Sequence, residues 1–92
     1  MSDSVTRKLK IVNEKGLHAR ASAKLVEVVE GFDASAEVLK DGMSASGDSI
    51  MGLLMLAASK GSTIEVQTSG PEAQPLADAV EALVADRFGE DC

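Results

Sequence analysis

The dipeptide Asp41-Gly42 narrows the fold more than any other feature of this chain. Asp-Gly is a favoured two-residue turn between antiparallel strands, because both central positions require positive φ. Before it, Ala36 and Val38 alternate with polar neighbours; after it, Met43 to Ser46 form a short second arm. Two further strands flank the hairpin. "VTRKLKIV", residues 5–12, sets Leu9 and Ile11 against Lys8 and Lys10 and reads as a half-buried strand. "STIEVQTSG" places Ile64 and Val66 on one face and Glu65 and Gln67 on the other. From Ala19 to Glu30, Ala21, Leu25, Val28 and Val29 recur at helical spacing, and Gly31 supplies the stop. "GDSIMGLLMLAASKG" is a compact apolar stretch. A last helical stripe runs from about Glu72 to Arg87 through Leu76, Val80, Leu83 and Val84, its start blurred by Pro71 and Pro75.

The order β-α-β-β-α-β-α predicts an α+β fold, a two-layer open-faced sandwich of mostly antiparallel strands with helices segregated to one face. The 92 residues suffice for one domain, 1–92, with a modest core. That core must be aliphatic and alanine-rich, since 45% of the chain is apolar but only 2% aromatic. Fifteen acids against nine bases give a net charge of −6, which argues against nucleic acid and for protein partners with basic patches. "MSDSVTRKLK" carries no apolar run, so a cytoplasmic protein without membrane insertion is expected. Cys92 stands alone, with neither a disulfide partner nor zinc-ligand spacing, and reads as a tail thiol; no metal or cofactor is expected.

The chemistry concentrates in "GLHARA". The only histidine, His18, falls near the N-cap of the first helix, with Ala19, Arg20 and Ala21 in its first turn and Gly16 allowing a sharp bend ahead. The first N–H groups of a helix lack intrahelical partners and, with the macrodipole, favour an anion such as phosphate. An imidazole there can attack phosphorus through a ring nitrogen, giving a phosphoramidate whose phosphoryl group stays transferable. Arg20 can bind phosphate oxygens in bidentate fashion and offset charge in the transition state. No Walker loop, magnesium-binding acidic cluster or second histidine accompanies them, so the set makes an acceptor rather than a full enzyme. A histidine at a helix cap and a solvated arginine are also common without any such chemistry.

The second conspicuous segment begins at Asp48-Ser49. Ser49 suits an N-cap, and Ile50, Met51, Leu53, Leu54, Met55 and Leu56 follow almost without interruption. One helical face can bury only about half of them. Leu53, Leu56 and Ala57 are assigned to the core, and Ile50, Met51 and Leu54 to an exposed partner-binding patch beside His18.

These two segments, in register with each other, resemble the HPr family of histidine-containing phosphocarriers of the phosphoenolpyruvate-dependent phosphotransferase system. "GLHARAS" resembles its phosphorylation-site motif and "GDSIMGLLMLAASKGSTIEV" the signature around its regulatory serine. The resemblance runs from about Leu9 to the final helix and implies a four-stranded antiparallel sheet covered by three helices. It implies that His18 is the phosphoryl acceptor through Nδ1, that Arg20 assists it, and that Ser49 is the site of an HPr kinase/phosphorylase. It further implies Enzyme I as donor and Enzyme IIA-type proteins as acceptors, met by a shuttle expected to be a monomer. A phosphate on Ser49 would add roughly two negative charges beside the docking surface.

Two positions depart from the motif. Ala21 stands where proline is usual, losing a preset φ but gaining a backbone donor and helix propensity. Lys15 replaces a small polar residue and reads as solvated. The segments "LLMLAASKG" and "IEVQTSGPE" fit the nitrogen-related branch and the sugar-transport branch alike, while Ser49 followed by "IMG" looks more like the kinase-regulated type. A binding module acting mainly through Ser49 is the alternative to a carrier acting through His18.

Overall fold

The computed structural model describes residues 4–90, so Cys92 lies outside the described residues. Its elements are β1 (Ser4–Lys10), α1 (Ala19–Glu30), β2 (Ser35–Lys40), β3 (Met43–Ser46), α2 (Ile50–Met55), β4 (Thr63–Ser69) and α3 (Ala73–Ala85), followed by a 3₁₀ turn, Arg87–Gly89. The strands form one antiparallel sheet in the order β1-β4-β2-β3. The fold is the open-faced α+β sandwich that the sequence predicts.

The hairpin joins β2 to β3 with Lys40 opposite Met43, leaving Asp41 and Gly42 as a two-residue loop. Their φ values, 50° and 81°, are the positive pair that this turn demands. In β4 the alternation is complete: Ile64, Val66 and Thr68 are buried, while Glu65 and Gln67 point away. Thr68 keeps its hydroxyl satisfied by donating to the Ala73 carbonyl at 2.8 Å.

Helix α1 has the bounds read from the sequence, and its buried stripe is Ala21, Ser22, Leu25 and Val29. Val28 sits at the margin of that stripe, and Ser22 takes the inner place with its hydroxyl donating to the Leu17 carbonyl at 3.3 Å. In α3 the buried residues are Ala73, Leu76, Ala77, Val80 and Val84, with Leu83 half-buried. Arg7 of β1 reaches α3, donating to Asp78 at 2.9 Å and to Glu81. Both hydrogen bonds favour the charged guanidinium and push its pKa up, Asp78 contributing more.

Three local corrections follow. The first strand stops at Lys10, and Val12 is exposed rather than in the sheet. Helix α2 has only six residues. Ala57 is not in the core: the helix ends at Met55 with Leu56 as its C-cap, Ala57 takes φ 52°, and this left-handed residue turns the chain so that Ala58 is buried in its place.

Candidate functional site

Two loops laced together set the position of His18. Ile11 N–H donates to Ser62 and its carbonyl accepts from Gly61, both at 2.8 Å, so the chain after β1 stays bound to the chain before β4. Leu17 N–H then donates to Ala58 at 2.8 Å. Between these points Gly16 adopts φ 65°. Its carbonyl accepts from His18 N–H at 2.9 Å and from the Asn13 side-chain Nδ2 at 2.8 Å. The bend is thereby fixed from both sides, and α1 starts in one direction only.

His18 is the N-cap of α1, with φ −79° and ψ −175°. Its ring plays the part more usual for a serine or aspartate side chain: Nδ1 accepts from the backbone N–H of Arg20 at 3.3 Å. The same nitrogen therefore faces the unpaired donors of the helix start, where an anion is favoured. Ala21 is fully buried beneath this turn. The Arg20 side chain is exposed, and no ion pair among the described residues engages its guanidinium.

The other ring nitrogen, Nε2, meets a residue that no local pattern singles out. Glu90, just beyond the 3₁₀ turn, places Oε2 against Nε2, and its other oxygen accepts from Asn13 Nδ2 at 3.0 Å. The hydrogen bond from Asn13 and then that from His18 hold the Glu90 carboxyl below its usual range, with a smaller attraction from Lys15. The His18 and Glu90 side chains are 27% and 15% exposed, so water reaches the ring but does not surround it.

Glu90 is carried there by an unusual run of backbone. Arg87, Phe88 and Gly89 have φ 55°, 55° and 78°, all left-handed. Two anchors hold the run: the fully buried Phe88 ring, and Lys24 of α1, whose Nζ donates to the Phe88 carbonyl at 2.6 Å. Together with Glu14, Lys15, Arg20 and Gly89, the residues His18, Lys24 and Glu90 line a cleft of about 350 Å³. Lys15 is exposed, in keeping with a solvated side chain, yet it adds positive charge to the rim.

The second segment adjoins the first. Ser49 is the N-cap of α2, its Oγ accepting from Gly52 N–H at 3.1 Å. Leu53 and Leu56 are buried. Ile50 is 39% and Met51 70% exposed, and Met55, absent from the sequence-based assignment, is also 70% exposed. Leu54 is half-buried and shares a hollow with His18, Leu17 and Ala57, so the apolar surface begins at the imidazole.

Comparison with known proteins places this arrangement. The family description "PTS HPr component phosphorylation site" matches residues 5–86. The chain belongs to the HPr family of phosphocarriers. It is 48% identical over 80 residues to phosphocarrier protein HPr of Cupriavidus necator, covering 87% of this chain and 90% of that one. It is 40% identical over 89 residues to phosphocarrier protein NPr of Escherichia coli K12, covering 96% and 99%. Among solved structures, HPr-C-His from Thermoanaerobacter tengcongensis matches with a TM-score of 0.91 at 30% identity, covering 96% of this chain and 99% of that one. HPr from Bacillus anthracis matches at 0.84 and 33%, covering 88% and 96%. Among the described residues, no helix is long and apolar enough to cross a membrane.

Proposed function

We propose that the chain carries a phosphoryl group on Nδ1 of His18, accepting it from Enzyme I and delivering it to an Enzyme IIA-type protein in the cytoplasm. The observation that carries this reading is the orientation of the ring. Nδ1 faces the N-terminus of a twelve-residue helix and lies two residues from a free arginine, within the segment that the family description spans. The helix start and Arg20 offer hydrogen bonds to phosphate oxygens, and the partly exposed ring lets a partner's phosphoryl group approach.

The apolar surface of Ile50, Met51 and Leu54, extended by Met55, serves as the docking face for both partners. Because it starts beside His18, a partner seated on it brings its own reactive group to the imidazole. Ser49 at its border is the proposed target of a kinase, and a phosphate there would oppose an acidic partner by like-charge repulsion. The relatives include proteins named HPr and NPr, in keeping with the two branches that the sequence motifs fit, so the final acceptor is either a transport-linked or a regulatory Enzyme IIA protein.

The test is incubation with Enzyme I, phosphoenolpyruvate and magnesium, followed by intact mass on wild type and His18→Ala. Wild type is expected to gain one acid-labile phosphoryl group and the variant none. No gain on wild type with a competent Enzyme I would sink the carrier role and leave a module acting through Ser49.

A further inference from the structure

We propose that Glu90 is a positioning residue that selects the reactive tautomer of His18, placing the proton on Nε2 and the lone pair on Nδ1, through a chain of hydrogen bonds whose polarity is fixed at Asn13. The inference deepens the phosphocarrier reading and rests on it for its consequence, though not for its test.

The direction of the chain can be read link by link. Asn13 is wholly buried and its Nδ2 touches two oxygens, the Gly16 carbonyl at 2.8 Å and Glu90 Oε1 at 3.0 Å. A backbone carbonyl only accepts, so this end of the amide must be the NH₂ group. Its own oxygen, Oδ1, is left without a partner among the described residues. Glu90, ionised at neutral pH, can only accept, both from Asn13 and from the imidazole. Nε2 must therefore hold the ring proton. Nδ1 is left as the acceptor, in agreement with the Arg20 N–H aimed at it. A carboxylate that holds an imidazole in one tautomer and orientation is a general device for keeping the other nitrogen reactive.

The consequence for transfer follows from the electrons. The Nδ1 lone pair forms the Nδ1–P bond while the bond from phosphorus to the donor breaks, its electron pair leaving with the donor. The ring then carries a positive charge with its proton still on Nε2, and the Glu90 carboxylate balances it. On delivery a lone pair of the acceptor's nucleophile bonds to phosphorus as the P–Nδ1 bond returns its pair to the ring, and neutral imidazole departs without any ring proton having to move.

Glu90→Gln tests this sharply because it is nearly isosteric. If the new amide keeps its oxygen toward Asn13, its NH₂ faces Nε2 and demands a lone pair there, moving the ring proton to Nδ1. The opposite orientation sets two NH₂ groups against each other. Glu90→Ala removes both conflicts. The measurement is the ¹⁵N spectrum of the His18 ring in alkaline buffer, where imidazoles are neutral, with no partner protein present. Wild type is expected to be mainly the Nε2–H form, and Glu90→Gln to raise the Nδ1–H share several-fold. Phosphorylation by Enzyme I should slow about tenfold or more in Glu90→Gln and by less in Glu90→Ala. Identical ring spectra for wild type and Glu90→Gln would overturn the proposal. A shifted tautomer in a protein that Enzyme I never phosphorylates would uphold it and overturn the carrier reading alone.

Discussion

Gly16 lies so close to Ala58 that a Cβ built on the glycine would stand 2.4 Å from the alanine's carbonyl oxygen. The same carbonyl accepts from Leu17 N–H at 2.8 Å, so neither backbone can withdraw without losing the hydrogen bond that aims α1. Positive φ at Gly16 adds a second reason for glycine. Gly16→Ala is expected to cost ~2–4 kcal/mol, combining left-handed strain with a forced separation of the loops. Urea unfolding would measure it, and phosphorylation should slow in the fraction that remains folded. A loss below about 1 kcal/mol would show that the two loops yield more easily than their geometry indicates.

Phe88 is the anchor of the segment that delivers Glu90. It is fully buried and holds φ 55°, a conformation costly for a bulky residue. Packing must therefore exceed the strain. Phe88→Ala should lose ~3–5 kcal/mol, and Phe88→Leu about 1.5 kcal/mol or less, both read from unfolding midpoints. Phe88→Ala should also free Glu90 from the ring, giving an imidazole ¹⁵N spectrum like that of Glu90→Ala.

The pH response of the site follows from the depressed Glu90 carboxyl. Its folded-state pKa lies below the ordinary 4.5, so the unfolded chain binds a proton first as acid is added. The stabilisation from Asn13 and His18 is fully present above about 4.5 and is lost as pH falls toward the folded-state value. Unfolding midpoints of wild type and Glu90→Ala should differ at neutral pH and converge in the acid range below 4.5. A gap that persists unchanged into strong acid would mean the contact does not depend on the carboxylate charge.

The apolar face of α2 is predicted to act on partners and not on stability. Met51 is 70% exposed, so Met51→Asp should change unfolding free energy by no more than about 0.5 kcal/mol. It should weaken capture by Enzyme I, raising KM for the carrier several-fold with kcat little altered. Equal KM values would move the docking face elsewhere.

What the sequence disclosed and what it withheld divide along sequence distance. Asp41-Gly42, the β4 alternation and the bounds of α1 are local signals, each written within a dozen residues and read without tertiary information. His18 at a helix start is legible for the same reason. The exchange of Ala57 for Ala58 was not. Helical spacing puts Ala57 one turn after Leu53, and the pattern fails because the helix ends at Met55, capped by Leu56. Glu90 was out of reach altogether: it meets His18 across 72 residues, over a left-handed turn that neither Arg87 nor Phe88 signals by residue type. Asn13 sits in a polar run, "NEKG", whose composition suggests nothing beyond a loop. Only the fold makes it the buried amide that fixes the direction of a hydrogen-bond chain.

That span of 72 residues also puts the site in a temporal order. During synthesis Asn13, Gly16 and His18 leave the ribosome early, long before the residues that complete their surroundings. Glu90 arrives only after α3 has emerged, and Phe88 can seat it only once the core is there to receive its ring. A nascent or shortened chain thus displays the imidazole without the carboxylate that commits its proton. On the proposed mechanism, a premature stop codon before position 90 should therefore slow phosphorylation of His18 even where the fold survives.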